Sequence, residues 1–180
     1  MVYVFLATGF EEVEALTPVD LLRRCGVDVK IVGIGSQIIK GSHGISVVCD
    51  LDDQQITLDD SLEMIVLPGG IPGTLNLEKN NVVQEAVDYC IDNDIYIGAI
   101  CAAPSILGNK GLLKGKNAIC YPGYENLLAG AKISDDYVCV DGKIITAKGA
   151  GVSTEFSLKL VEMLISKKRA DMLKGSLQCL

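Results

Sequence analysis

A cysteine at the end of an apolar run has the surroundings of a nucleophile. The run Gly98–Ile100 leads straight into Cys101, and Pro104 follows three residues later. This pattern predicts a buried strand that turns at Cys101 into a helix, because proline suits a first helical turn. The residues two positions before and two positions after Cys101 are small, as a tight nucleophile elbow requires. The free backbone N–H groups at the start of the helix would lower the pKa of the thiol. A buried structural cysteine is the alternative that this pattern leaves open.

A glycine-rich loop follows a neighbouring apolar run. The loop Leu67–Gly73 contains Gly69 and Gly70 as a pair, so backbone N–H groups there can approach a ligand closely. At the carboxyl end of a strand such a loop is a candidate oxyanion donor beside the thiol. A plain turn is the alternative.

The first predicted helix opens with three glutamates. Glu11 and Glu12 suit the positive end of the helix dipole and are expected to face solvent. Glu14 lies four residues after Phe10 and seven before Leu21, on an inward stripe. Burial raises the pKa of such a carboxyl and would let it exchange a proton with a thiol or an aldehyde oxygen. An ordinary first-turn glutamate is the alternative.

The remaining polar motifs are less specific. The one histidine, His43, lies in the segment Gly41–Gly44 and is predicted to be a loop residue rather than a base. No Ser-His-Asp or Cys-His pairing can be identified. The segment Gly149–Ser153 before a helix resembles an anion-binding loop, and Gly33–Gly35 lacks the third glycine of a dinucleotide fingerprint.

Apolar runs and helical periodicity alternate along the chain. Strands are predicted at Val2–Ala7, Val27–Ile34, Leu62–Leu67 and Ile95–Ile100, a hairpin at Ile38–Val48, and short strands at Asn117–Cys120 and Tyr137–Ile145. Helices are predicted at Glu11–Cys25, Asn81–Ile91, from about Ala102, at Ser153–Ile165, and in a short segment to Leu177. The alternation predicts an α/β fold, one doubly wound domain over residues 1–180 with a mostly parallel sheet and helices on both faces.

Composition narrows the function classes. The chain has 180 residues, and 49% of them are apolar, which excludes a disordered chain. Its net charge of −7 argues against a nucleic-acid partner. The longest apolar run, Ile95–Leu107, is interrupted by Pro104 and is shorter than the ~20 residues of a membrane span. The start of the chain lacks a signal-peptide pattern, so a cytoplasmic location is expected. The seven cysteines form no C-x-x-C pair, which predicts free thiols and no metal site.

Several of these motifs, in this order, resemble the ThiJ/PfpI superfamily, on the branch of the Parkinson-disease-associated protein deglycase. The resemblance covers almost the whole chain. It rests on the segments Ala7–Glu14, Thr17–Asp20, Val66–Gly70, Ala99–Pro104 and Gly149–Gly151.

This resemblance implies a flavodoxin-like sandwich, a homodimer and no cofactor. It also implies a reactive thiol at Cys101, a protonated Glu14 hydrogen-bonded to the sulfur, and an oxyanion pocket made by the amides of Gly70 and Ala102. The implied activity is that of a glyoxalase or deglycase acting on methylglyoxal, glyoxal or their adducts. The alternatives are an oxidation sensor whose Cys101 becomes a sulfinate, and a chaperone-like protein without catalysis.

Two positions depart from the superfamily pattern. The protease-like branch has histidine directly after its cysteine, where this chain has Ala102, so peptidase activity is not expected. The deglycase branch often has histidine before a proline after the elbow, where this chain has Tyr121, and a phenol is a poor base near neutrality. His43 lies where relatives have a polar residue that reaches the partner subunit's site.

Overall fold

Eleven strands and six helices form the described part of the chain. The computed structural model describes residues 1–179. In chain order the strands are β1 (Val2–Leu6), β2 (Val29–Gly33), β3 (Ile38–Lys40), β4 (Ser46–Val48), β5 (Leu51–Asp52), β6 (Met64–Leu67), β7 (Tyr96–Ile100), β8 (Asn117–Ala118), β9 (Lys132–Ile133), β10 (Val138–Asp141) and β11 (Ile144–Ala147). The helices are α1 (Glu12–Arg24), α2 (Gly73–Lys79), α3 (Asn81–Asp92), α4 (Pro104–Asn109), α5 (Ser153–Leu164) and α6 (Lys167–Ser176).

The central sheet has the strand order β10-β11-β7-β6-β1-β2-β5. All neighbours pair in parallel except β10 and β11, which form an antiparallel hairpin over Asp141 and Gly142. The five long parallel strands therefore follow the 2-1-3-4-5 order of a flavodoxin-like fold, and the predicted fold class is confirmed. In this order the chain reverses direction across the sheet between β1 and β6. Ligand sites of such folds gather at that switch point, at the carboxyl ends of the strands.

Helices cover both faces of the sheet because its inner strands are apolar on both sides. Along β1, Val2, Val4 and Leu6 belong to one core cluster, whereas Tyr3 and Phe5 belong to the other. Helices α1, α5 and α6 contribute to the first cluster, and α2, α3 and α4 contribute to the second. Within residues 1–179, none of the helices combines the length and apolar character needed to cross a membrane.

The structure differs from the predicted elements mainly around short segments. Helix α2 was not predicted, since its seven residues are too few to show a clear apolar stripe. The helix after Cys101 begins at Pro104 rather than near Ala102, and residues 101–103 form turns instead. The predicted strand at Asn117–Cys120 is reduced to β8, which pairs with β9 outside the central sheet.

A buried hydrogen bond fixes the loop after β8 to the sheet. The hydroxyl Oγ1 of Thr146, on β11, accepts the N–H of Ile119 at 3.0 Å, and the Thr146 side chain is 1% exposed. Two residues further on, this loop carries Tyr121 towards the carboxyl end of β7. The hydrogen bond therefore contributes to stability and to the placement of Tyr121.

We expect Thr146→Val to lower the free energy of unfolding by about 1–3 kcal/mol, because valine keeps the shape but leaves a buried N–H without its acceptor. Thr146→Ser is the matched control, since it keeps the hydroxyl and loses only a methyl group. Urea titrations of the three proteins measure the difference. A valine variant as stable as the serine variant would contradict the assigned hydrogen bond.

Candidate active site

Cys101 stands on a strained turn directly after β7. Its φ is +64°, a left-handed conformation that residues other than glycine rarely adopt. The N–H of Cys101 donates to the carbonyl of Ala147 at 2.9 Å, and its own carbonyl accepts the N–H of Tyr121 at 2.7 Å. These two hydrogen bonds hold the turn from both sides. The strand-to-helix corner predicted at Cys101 is confirmed.

Glu14 points inward from the first turns of α1 and lies against Cys101. Its side chain is 1% exposed, and it interacts with the sulfur of Cys101. Carboxylate oxygen Oε2 accepts the N–H of Gly69 at 2.9 Å, and the backbone N–H of Ala150 also donates to this carboxylate. The predicted inward position of Glu14 is confirmed. Three loops that follow β6, β7 and β11 thus meet at one carboxyl group.

The environment of Glu14 favours its protonated form. Burial raises the pKa of Glu14 from an ordinary value of 4.5 to about 7, and the nearby carboxylate of Glu11 adds to the rise. Hydrogen bonds from Cys101, Gly69 and Ala150 lower the pKa of Glu14, but by less than burial raises it. Glu14 therefore exchanges its proton near neutral pH.

Gly69 is a positioning residue rather than an oxyanion donor. A Cβ at this position would lie 2.6 Å from the Cβ of Cys101 and 2.6 Å from Oε2 of Glu14, so a larger residue does not fit. Its N–H is already occupied by Glu14. The oxyanion role predicted for Gly69 is therefore wrong. The amides of Gly70 and Ala102 remain, and both donate towards the Cys101 sulfur.

The thiol is less acidic than the sequence predicts. Burial is the largest cause that raises the pKa of Cys101, the carboxylate of Glu14 adds to it, and together they bring it to about 12. The amides of Ala102 and Gly70 lower the pKa but do not outweigh burial. Helix α4 begins only at Pro104 and has six residues, so its dipole is short. A free-standing thiolate at Cys101 is therefore not the resting state.

Cys101 and Glu14 consequently act as one acid–base pair. Below about pH 7 both groups are protonated, and above it the pair has lost one proton and carries one negative charge. The remaining proton lies between an oxygen of Glu14 and the sulfur. A thiol with an adjacent carboxylate is the arrangement of a nucleophile with its general base.

Cys101 and Glu14 line a pocket of about 290 Å³. Gly70 and Ala102 line it as predicted, and so does the half-exposed Tyr121. Glu11 and Tyr124 line it as well, although no sequence pattern indicated a site role for either residue. The segment Gly149–Ser153, predicted to be an anion-binding loop, instead brings the N–H of Ala150 to the Glu14 carboxylate.

His43 lies outside this pocket, against Glu12. Its N–H donates to Oε1 of Glu12 at 2.8 Å, its ring nitrogen Nδ1 lies 2.9 Å from Oε2, and its side chain is 68% exposed. The structure therefore does not bring His43 to Cys101 within one chain. The hydrogen bond to Glu12 is the largest cause that raises the pKa of His43.

Glu12 is buried, so its predicted exposure to solvent is wrong. Burial acts to raise the pKa of Glu12, but hydrogen bonds from the His43 side chain and from the amides of His43 and Ile45 outweigh it and lower the pKa to about 2. A Cβ at Gly41 would come within 2.3 Å of its carboxylate. Glu12 is thus an anion that holds the loop between β3 and β4 against α1.

One group of side chains has the geometry of metal ligands. Ligand atoms of Glu11, Glu12 and His43 all lie within 4.8 Å of one another. The Glu12 carboxylate is already saturated by hydrogen bonds from the loop, which gives the cluster a structural explanation. Within residues 1–179 no comparable cluster adjoins Cys101.

Known proteins resemble this chain in sequence. The profile of the DJ-1/PfpI family matches residues 1–163. Protein DJ-1 homolog B of Arabidopsis thaliana is 38% identical over 98% of the chain, and the chain spans only 41% of that relative's length. Protein dj-1beta of Drosophila melanogaster is 33% identical over 97% of the chain and 95% of its own length. The glutathione-independent glyoxalase DJR-1.2 of Caenorhabditis elegans is 30% identical over 91% of the chain and 87% of its own length.

Solved structures share the same fold almost completely. Oxidized DJ-1 of Toxoplasma gondii superposes with a TM-score of 0.94 at 30% identity, covering 99% of this chain and 97% of that one. A DJ-1 superfamily protein of Salmonella typhimurium superposes with a TM-score of 0.93 at 30% identity, covering 99% of this chain and 98% of that one. The resemblance predicted from the motifs is confirmed: the chain belongs to the DJ-1/PfpI family.

Proposed function

We propose that this chain is a cofactor-independent glyoxalase that converts methylglyoxal or glyoxal, or adducts that release them, into a hydroxy acid. The observation that carries the proposal is the buried Glu14 carboxyl in contact with the Cys101 thiol, inside a pocket large enough for a small aldehyde. A family relative named as a glutathione-independent glyoxalase supports the same chemistry.

The first step is addition of the thiol to the aldehyde. The carboxylate of Glu14 removes the thiol proton while the sulfur of Cys101 bonds to the aldehyde carbon, so no free thiolate needs to accumulate. The carbonyl electron pair moves to oxygen, where the amides of Gly70 and Ala102 are placed to stabilise the charge. Glu14 then returns its proton to this oxygen, which gives a hemithioacetal.

The second step is an isomerisation that needs no oxidant. Glu14, again a carboxylate, takes the hydrogen of the former aldehyde carbon as a proton, and the electron pair passes through an enediol. Protonation of the neighbouring carbon yields a thioester of Cys101. Water then cleaves the carbon–sulfur bond, which restores the thiol and releases lactate from methylglyoxal or glycolate from glyoxal.

Tyr121 adds a hydrogen-bond donor at the pocket wall. Its phenol O–H can donate a hydrogen bond to a substrate oxygen. In this scheme Glu14, whose side chain is hydrogen-bonded to Cys101, performs every proton transfer at the substrate carbon.

We expect Cys101→Ser and Glu14→Gln each to lower kcat/KM for lactate formation from methylglyoxal by at least about a hundredfold, since each removes one half of the pair. Cys25→Ser is the matched control, because Cys25 is a partly exposed thiol at the end of α1 and should leave the rate unchanged. Enzymatic assay of lactate measures all four proteins. Equal rates in the wild type and both pair variants would contradict the proposal.

The pH dependence of the wild type gives a second readout of the same prediction. Because the reactive pair must have lost one proton, kcat/KM should rise about tenfold per pH unit below pH 7 and level off above it. A profile without this rise would show that Glu14 is not the base. The rise should vanish in Glu14→Gln.

A second candidate function is an oxidation sensor, which one observation favours. Cys101 is a partly exposed thiol with a base in contact, and a solved relative is described as oxidized. Two equivalents of peroxide would convert the thiol first to a sulfenic and then to a sulfinic acid, with one water released at each step. The Gly70 and Ala102 amides and a protonated Glu14 would hold the product.

Under mild peroxide we expect Cys101 to gain two oxygen atoms before Cys25 and Cys179, the other partly exposed thiols. Glu14→Gln should slow the reaction, because it removes the group that accepts the thiol proton. Peptide mass spectrometry over time measures each site. Oxidation spread evenly over the cysteines, or reaching Cys101 last, would contradict the sensor function.

We also propose the homodimer that the resemblance implies. Its support is a set of exposed apolar side chains on α1 and on the β3–β4 hairpin: Val13, Ile38, Ile45 and Val48 are each at least 50% exposed. His43, whose side chain is 68% exposed, is in the same loop as Ile45. The cytoplasmic location stays a prediction.

A further inference from the structure

A second cavity adjoins the Cys101 pocket and plays no part in the scheme above. This flanking groove has a volume of about 340 Å³ and shares Tyr121 and Ala150 with the Cys101 pocket. Its other lining residues are Pro122, Tyr137, Lys148 and residues 149–152. Tyr121 and Ala150 therefore border both cavities.

The lining of the groove suits an uncharged, planar, apolar group. Tyr121 and Tyr137 are 51% and 63% exposed, so two aromatic side chains present apolar surface to the groove. Lys148 also lines the groove, and its ammonium lies 5.0 Å from the centre of the Tyr137 ring. Among the described residues that line the groove, none carries a carboxylate, in contrast to the Cys101 pocket with Glu11 and Glu14.

We propose that the flanking groove is a subsite for the aryl substituent of a 2-oxoaldehyde, which makes arylglyoxals better substrates than methylglyoxal. The reacting aldehyde carbon binds at Cys101, and the ring lies along Tyr121 and Tyr137. This substrate class rests on the proposed function for its chemistry. Phenylglyoxal and one water give mandelate by the same steps, with one hydrogen moving between adjacent carbons and no oxidant consumed.

The expected difference in kcat/KM between phenylglyoxal and methylglyoxal follows from the burial of a phenyl ring in place of a methyl group. We expect wild-type kcat/KM for phenylglyoxal to exceed that for methylglyoxal by about ten- to a hundredfold. Apolar contact in the groove is the expected source of the gain. Because an aryl ketone and a methyl ketone also differ in intrinsic reactivity, a substitution in the groove is needed to isolate that contact.

A substitution at Gly151 separates the groove from the reactive pocket. Gly151 lines the groove but not the Cys101 pocket, a Cβ there would meet no atom within 4 Å, and its φ lies outside the left-handed region. Gly151→Leu should fill the groove, lowering kcat/KM for phenylglyoxal about tenfold and leaving methylglyoxal within about twofold. Gly175→Leu is the matched control: Gly175 on α6 also has open space around it and should change neither rate.

Two results would overturn the subsite. One is an equal loss for both substrates in Gly151→Leu, and the other is phenylglyoxal turnover that the substitution leaves unchanged. If the wild type converts neither substrate, the proposed glyoxalase function is contradicted rather than the subsite. The subsite is then tested by measuring ligand binding. Acetophenone, which has the ring and ketone but no aldehyde, should shift the amide NMR signals of Gly151 and Val152 in Cys101→Ser, and unchanged signals would overturn the proposal.

Discussion

The buried contact between a carboxyl group and a thiol is the constraint around which the site is built. An isolated carboxylate inside a protein is costly, and the cost is reduced either by protonation or by hydrogen bonds. Glu14 uses both, because burial raises its pKa to about 7 while the amides of Gly69 and Ala150 still support its charged form. The fold supplies these amides from loops at the carboxyl ends of β6 and β11, on either side of β7. Residue 69 must be glycine, since a side chain there would occupy the space between Glu14 and Cys101.

Two glutamates separated by one residue on α1 illustrate how environment decides acidity. Glu12 and Glu14 are both buried, yet the pKa of Glu12 is about 2 and that of Glu14 about 7. Successive positions two apart on a helix point in very different directions, so the two carboxyls meet different partners. Glu12 accepts N–H groups from the His43 loop and stays charged as a structural anion. Glu14 meets a thiol in a mostly apolar pocket, and burial brings its pKa close to neutrality.

The fold and the two principal site residues were predictable from the sequence because they depend on local patterns. The apolar run before Cys101 predicts a buried strand that ends there, and the helical spacing around Glu14 predicts that its side chain points inward. Both positions were confirmed. The acidity of the thiol was not predictable, because it depends on burial and on the charge of Glu14, which adjoins Cys101 only after folding. The burial of Glu12, the positioning role of Gly69 and the flanking groove likewise arise where distant loops meet.

Direct titration of the Glu14 carboxyl tests the central claim, that Glu14 and Cys101 form a pair which loses one proton near neutral pH. Carbon-13 NMR of protein labelled at glutamate side-chain carboxyls provides the measurement, with the Glu14 signal assigned by its absence in Glu14→Gln. We expect a titration midpoint of about 7 in the wild type and a lower one in Glu11→Gln, because the Glu11 carboxylate raises the pKa of Glu14. A midpoint near the ordinary 4.5 in the wild type would contradict it.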